Sequence, residues 1–185
     1  MELKDMKVFI DPGHGGSDPG ATAGTTQEKN ITLYVAKKLQ SILSSWGVPT
    51  KMTRTGDTFV DTTEIAGISN NWGADIFVSI HCNAGGGNGG TETFTKRSYT
   101  DLDNDLAKRI QSRLVTAFDS INRGVKRTNW NVLVGNNACC CLTELLFMDV
   151  STDISKLRDS EKLDSAALAI ANGLNSYVFA NFHNV

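Results

Sequence analysis

Four residues spread along this 185-residue sequence have side chains suited to act together on one bond: His14, Glu28, His81 and Glu144. The chain holds only three histidines, and two of them, His14 and His81, follow apolar runs (VFI and ADIFVSI) that read as β-strands. If those strands are parallel, both imidazoles reach the same edge of a sheet. One histidine at a strand end is as a rule a hydrogen-bonded structural residue, and a pair at one edge shifts the balance toward a metal. His14 lies in DPGHGGSDPGA, where flanking glycines let the backbone turn sharply and leave room around the ring; a plain glycine-rich turn is the competing reading. Glu28 opens an amphipathic stretch, where a carboxylate is favourable with the helix dipole whether or not it has another task. It becomes a ligand candidate because the helix returns from the loop that carries His14. Two imidazoles and a carboxylate, with a position left for water, form the pattern of a catalytic zinc site, and among common ions this donor set suits zinc best. A hydrolytic zinc site also needs a base that is not a ligand. Glu144, in the apolar run LTELLF, is the candidate, since carboxylates are seldom buried without a partner or a task; a structural ion pair is the alternative.

The elements that must position these groups alternate in type. Lys7 to Ile10 reads as a strand, Asp11 to Thr26 as a loop, and Lys29 to Trp46 as a helix with Ile31, Val35, Leu39 and Ile42 on one face. Gly47 stops it. Thr50–Thr53 is a strand candidate and 62–72 a weaker helix, followed by Asp75–Cys82, the strongest strand and the expected centre of the sheet. After a glycine loop at 84–90 come a strand at Glu92–Thr95, a helix at Leu102–Phe118, strands at Asn131–Val134 and Cys139–Leu145, and a closing helix at Ser160–Asn181. This order predicts an α/β fold: a single domain over 1–185 with a twisted, mostly parallel sheet of about six strands and helices on both faces. In such sheets functional residues gather beyond the carboxyl ends of the strands.

Composition removes several function classes. Eighteen basic against 20 acidic side chains, a net charge of -2, give no footing for nucleic-acid binding through phosphate neutralisation. No stretch approaches the roughly 18 consecutive apolar residues of a bilayer span, so no membrane insertion is expected. The first apolar run is too short for a signal peptide, which implies a protein made in the cytoplasm without an export address. The four cysteines, Cys82 and the run Cys139, Cys140 and Cys141, match neither a disulfide framework nor paired metal hooks. Neighbouring strand residues point to opposite faces and cannot converge on one ion. They read as reduced thiols, and a monomer is expected.

Taken in order, VFIDPGHGGSDPGA, Glu28 at a helix start, ADIFVSIHCNAGG, RGVK and TELLF resemble the zinc-dependent N-acetylmuramoyl-L-alanine amidases of the type 3 family, over about Lys7 to Val178. The resemblance implies one zinc ion held at His14, Glu28 and His81, with Glu144 as acid/base. It also implies peptidoglycan as substrate, cut at the amide joining the lactyl group of N-acetylmuramic acid to L-alanine, with the cell wall as the place of action. The protein reaches the wall either as an endolysin released through a holin pore or as the excised domain of a secreted enzyme. Two other readings stand beside it: a zinc peptidase or carboxypeptidase acting within the stem peptide, and a catalytically silent wall-binding module, against which four intact chemical positions argue.

Softer expectations attach to neighbouring residues. Asp11 either hydrogen-bonds a ligand imidazole or forms a turn before Pro12. Asn83 either contacts substrate or closes an Asx turn. Arg123 and Lys126 either meet a stem-peptide carboxylate or belong to a solvated basic loop. Ile65 stands where related chains carry an arginine in the helix before the second histidine strand. CCCLTE replaces the proline and aliphatic residues common before Glu144, and small thiols are acceptable in a strand core. His183 reads as tail.

Overall fold

The computed structural model describes residues 1–183. In chain order the elements are β1 (Val8–Pro12), β2 (Thr22–Ala23), β3 (Thr26–Gln27), α1 (Glu28–Ser45), β4 (Thr50–Met52), α2 (Thr62–Trp72), β5 (Ile76–Asn83), β6 (Thr91–Lys96), α3 (Asp101–Phe118), β7 (Asn122–Thr128), β8 (Cys139–Phe147), α4 (Ser151–Leu157) and α5 (Ser160–Phe182). Six strands form one sheet in the order β4-β1-β5-β8-β6-β7. β1, β4, β5 and β8 run parallel; β6 is antiparallel to β8, and β7 follows β6 in parallel. The expected α/β architecture holds, with β5 in the interior of the sheet.

The period-2 alternation of the strands divides the molecule into two cores. Val8, Ile10, Ile76, Val78, Ile80, Cys141 and Leu145 point to one face, where α1, α3 and α5 cover them with Leu39, Leu114, Ile170 and their neighbours. Phe9, Phe77, Cys140 and Leu142 point to the other, met mainly by Ile65, Ile68 and Trp72 of α2 and by Val132, Leu133 and Ala138. Helices therefore lie on both faces, but very unequally. The cysteine run obeys the same alternation, Cys140 entering one core and Cys141 the other, and all four thiols are free. Burial pushes the Cys140 thiol up to about 12, as inert core thiols require.

Three segments differ from expectation. Asn131–Val134 is a turn, not a strand: the amides of Leu133 and Val134 both donate to the Trp130 carbonyl, and the apolar run buries Val132 and Leu133 under the sheet. A short apolar run satisfies either geometry, which is why periodicity misleads there. The strand is instead β7, whose segment NRGVKRT looked like a basic loop; at the edge it needs only Val125 against the core and keeps its cations outward, as edge strands do. The loop after β1 contains the small β2–β3 hairpin, which delivers the chain to α1.

Candidate active site

β1 and β5 are paired in parallel, so their carboxyl ends lie at one edge, with His14 two residues beyond β1 and His81 near the end of β5. The β2–β3 hairpin ends at Gln27, and α1 begins at Glu28. Its carboxylate, 2% exposed, binds both rings: His14 Nε2 lies 3.1 Å and His81 Nδ1 3.2 Å from Glu28 Oε1. The Cys82 amide donates to that same oxygen and the Ala21 amide to Oε2, each at 2.8 Å. The two imidazoles meet edge to face with centroids 4.9 Å apart.

Backbone shape makes this approach possible. His14 has φ +62°, a left-handed conformation that costs a non-glycine residue about 1 kcal/mol or more. A Cβ on Gly13 would fall 2.3 Å from the His81 ring, and one on Gly20 would fall 2.6 Å from Glu28 Oε2. The glycines thus leave room for the two imidazoles and the carboxylate between them. Arg54, 4% exposed, locks the loop from inside: Nε donates to Pro12 O (3.1 Å), and Nη2 to Gly13 O and Lys29 O (2.9 Å each). The guanidinium therefore joins the His14 loop to the first turn of α1.

Electrostatics follow from these contacts. Burial opposes charge on His14, but the carboxylates of Glu28 and Asp18 outweigh it and push the ring up to about 9. Burial likewise opposes ionisation of Glu28, yet the two histidines pull it down to about 2. His81 is raised, since Glu28 and the Glu144 charge overcome its burial. Among the described residues three buried side-chain atoms have no hydrogen-bond partner, and two of them, His81 Nε2 and Glu144 Oε2, belong to this site; the third is Asn136 Nδ2. Glu144 stands opposite His81 in the β5–β8 ladder, on the same sheet face, and is 8% exposed; burial raises it to about 7. An orphaned imidazole nitrogen beside a carboxylate shared by two histidines fits a cation better than it fits a closed protein network. His14, Glu28 and His81 offer ligand atoms within 4.8 Å of one another, a group able to hold a metal ion.

The pair Glu144 and His81 sits in the floor of an open groove of about 530 Å³, with Leu142 beside them and Thr62, Asn83 and Trp130 along its walls. This groove occupies the thinly covered face of the sheet.

Comparison with known proteins agrees with this geometry: the sequence profile of the N-acetylmuramoyl-L-alanine amidases matches residues 8–176. The chain belongs to that family. A sporulation-specific N-acetylmuramoyl-L-alanine amidase of Bacillus subtilis is 42% identical over 174 residues, 91% of this chain and 67% of its own length. The endolysin of Bacillus phage SPP1 is 34% identical, covering 90% of this chain and 64% of its own. The structure of an N-acetylmuramoyl-L-alanine amidase from Clostridium difficile 630 superposes with TM-score 0.90 at 35% identity, over 95% of this chain and 98% of that one.

Within this amidase fold the candidates separate. His14, Glu28, His81 and Glu144 are brought together. Asp11 does not touch an imidazole; its carboxylate accepts from Ser79 Oγ (2.6 Å) and Thr53 Oγ1 (2.7 Å), tying β1 to its neighbours. The second carboxylate on His14, besides Glu28, is Asp18, 2.8 Å from Nδ1, signalled in sequence only by its i+4 spacing. Asn83 donates to Glu92 Oε1 at 2.7 Å and accepts from the Ala84 amide. Glu92, held below the usual carboxylate range because Lys126 and Arg123 outweigh its burial, accepts from Arg123 Nε at 2.8 Å and from Lys126 Nζ. The two cations of β7 thus form one ion-pair network on Glu92 of β6, and neither lines the groove. Ile65, on α2, packs in the core against the sheet. His183 stacks on Phe179, away from the groove.

Two outcomes are expected. Replacing Arg54 by Met strands several carbonyls and should cost about 3 kcal/mol in urea unfolding, with Arg54→Lys recovering only part because a point charge cannot span them. A divalent metal must displace protons from the raised imidazoles, since only the neutral ring ligates. Affinity should therefore climb with pH and level off above about 9, where His14 is already neutral. Calorimetry in buffers of different ionisation heat should show net proton release at pH 7.

Proposed function

We propose that this chain hydrolyses the amide between the lactyl group of N-acetylmuramic acid and L-alanine in peptidoglycan, with zinc held by His14, Glu28 and His81 and with Glu144 as the acid/base. The observation that carries the reading is the buried, unpartnered Glu144 Oε2 facing the same space as the unpartnered His81 Nε2. A structural ion pair would have left neither atom orphaned. Held by those three residues, zinc would supply Lewis acidity to the scissile carbonyl and to water near neutral pH.

Glu144 then does the proton work. Its ionised carboxylate accepts a proton from the attacking water, and the acid so formed gives it to the alanine nitrogen, without which an amine cannot leave a stable amide. A carboxyl raised to about 7 by burial is matched to both roles near neutral pH. Glu28 keeps the imidazoles fixed and balances their charge, while Asp18 orients the His14 ring from its far nitrogen. The open groove admits a bulky polymer on the side where α2 leaves the sheet uncovered. The family's curated members support wall hydrolysis, among them the phage endolysin. No helix among the described residues is long and apolar enough to cross a membrane. We infer that the protein acts on the cell wall.

Digestion of purified peptidoglycan with mass spectrometry of the products tests this reading. Stem peptides beginning with free L-alanine should appear, vanish on chelation and return with zinc. Glu144→Gln should lower kcat by about 100-fold to 10,000-fold while zinc binding persists. Cleavage inside the stem peptide would contradict the assigned bond, and full activity of Glu144→Gln would contradict the assigned base.

A further inference from the structure

Trp130 is the one large aromatic side chain in the lining of the groove, and the proton-transfer chemistry makes no use of it. It is 42% exposed, although indole rings are mostly buried. Its position is nevertheless fixed. The ring packs on Phe94 with centroids 4.5 Å apart, and its carbonyl accepts from the amides of Leu133 and Val134, whose turn is anchored by buried Val132 and Leu133. Asn129 and Asn131, on either side of it, are exposed and also line the groove. A rigid, half-open indole between two carboxamides presents a flat apolar face bordered by donors and acceptors.

The ladder sets its distance from the reacting bond. Phe94, beneath Trp130, pairs with Leu142, two residues before Glu144 on β8. At the rise of an extended strand this is about 7 Å along the groove. In the proposed substrate only an ether oxygen and one methine carbon separate the scissile carbonyl from the sugar ring, so the ring must lie within one side chain's reach of Glu144. Outside the groove's lining, Glu92, Arg123 and Lys126 form a charged cluster that matches the carboxylates and amines of a stem peptide.

We propose that Trp130, with Asn129 and Asn131, forms the subsite for the N-acetylmuramic acid ring, an inference that rests on the amidase reading given above. The polarised C–H groups of one pyranose face lie against the electron-rich indole face, and the two amides meet the hydroxyl and N-acetyl groups at the ring's edge. Trp130 is thus a specificity residue that places the lactyl carbonyl before Glu144.

The test uses the zinc-loaded enzyme and two substrates, a muramoyl peptide and the matching lactoyl peptide without sugar. Trp130→Ala should lower kcat/KM on the muramoyl peptide by about fivefold to tenfold, mainly through KM, and leave the lactoyl peptide within about twofold. Trp130→Phe, which keeps an aromatic face on Phe94, should recover most of the loss. An equal loss on both substrates would overturn the proposal and make Trp130 a structural or peptide-binding residue. Saturation-transfer NMR with the peptide-free N-acetylglucosaminyl-N-acetylmuramic acid disaccharide decides the same point without turnover: binding should be seen with the wild type and lost in Trp130→Ala. No difference between the two proteins would overturn the subsite even if the wild type cut the expected bond. Should the wild type cut neither substrate, the amidase reading fails while the disaccharide experiment still stands.

Discussion

A single buried carboxylate organises this molecule's chemistry. Glu28 holds two imidazoles with one oxygen and fastens the hairpin before α1 with the other. It also takes the Cys82 amide from β5. Three separate parts of the chain, the His14 loop, the start of α1 and the end of β5, are therefore positioned by one ionised group at a helix N-terminus, where the dipole favours negative charge. Without it, the two imidazoles would face each other at 4.9 Å with no acceptor between them. The glycines at 13 and 20 and the guanidinium of Arg54 are consequences of that arrangement, since each makes room for it or braces it.

Such a site is costly to keep. A left-handed His14 and two orphaned buried polar atoms each disfavour the fold by about 1 to 3 kcal/mol. The sheet's unequal faces accommodate the cost. One face is packed under three long helices and supplies most of the apolar burial, while the other bears only α2 and the turn around Leu133. The thin face is where a groove can open onto Glu144 and His81 without exposing the main core. Alternation along β5 and β8 then assigns each residue its duty: Ile80 and Leu145 go inward to packing, and their neighbours His81 and Glu144 go outward to chemistry.

Much of this was legible in the sequence because it rests on local rules. Histidines after two apolar runs, a glutamate opening an amphipathic helix and a lone carboxylate in LTELLF are patterns that survive without knowledge of the tertiary structure. The long helices and the interior strands followed for the same reason. Residues whose roles depend on long-range contacts were not legible. Arg54 carries no signal in the sequence, and only folding brings it against the carbonyls of Pro12, Gly13 and Lys29. The expectation of a carboxylate on an imidazole attached to Asp11, but Asp11 lies on β1 and it is Asp18, four residues after His14, that reaches the ring. The exchange of strand between 131–134 and β7 has the same origin: an edge strand needs little apolar content, and a buried turn needs as much as a strand.

The roles proposed for His14, Glu28 and His81 depend on which atoms surround a bound zinc ion. X-ray absorption at the zinc edge of the reconstituted protein measures that directly. It should show nitrogen and oxygen scatterers near 2.0–2.1 Å, two of them imidazoles, with one position filled by water. A sulfur shell at about 2.3 Å, which would bring in the buried Cys82 beside His81, or the absence of stoichiometric zinc, would contradict those roles.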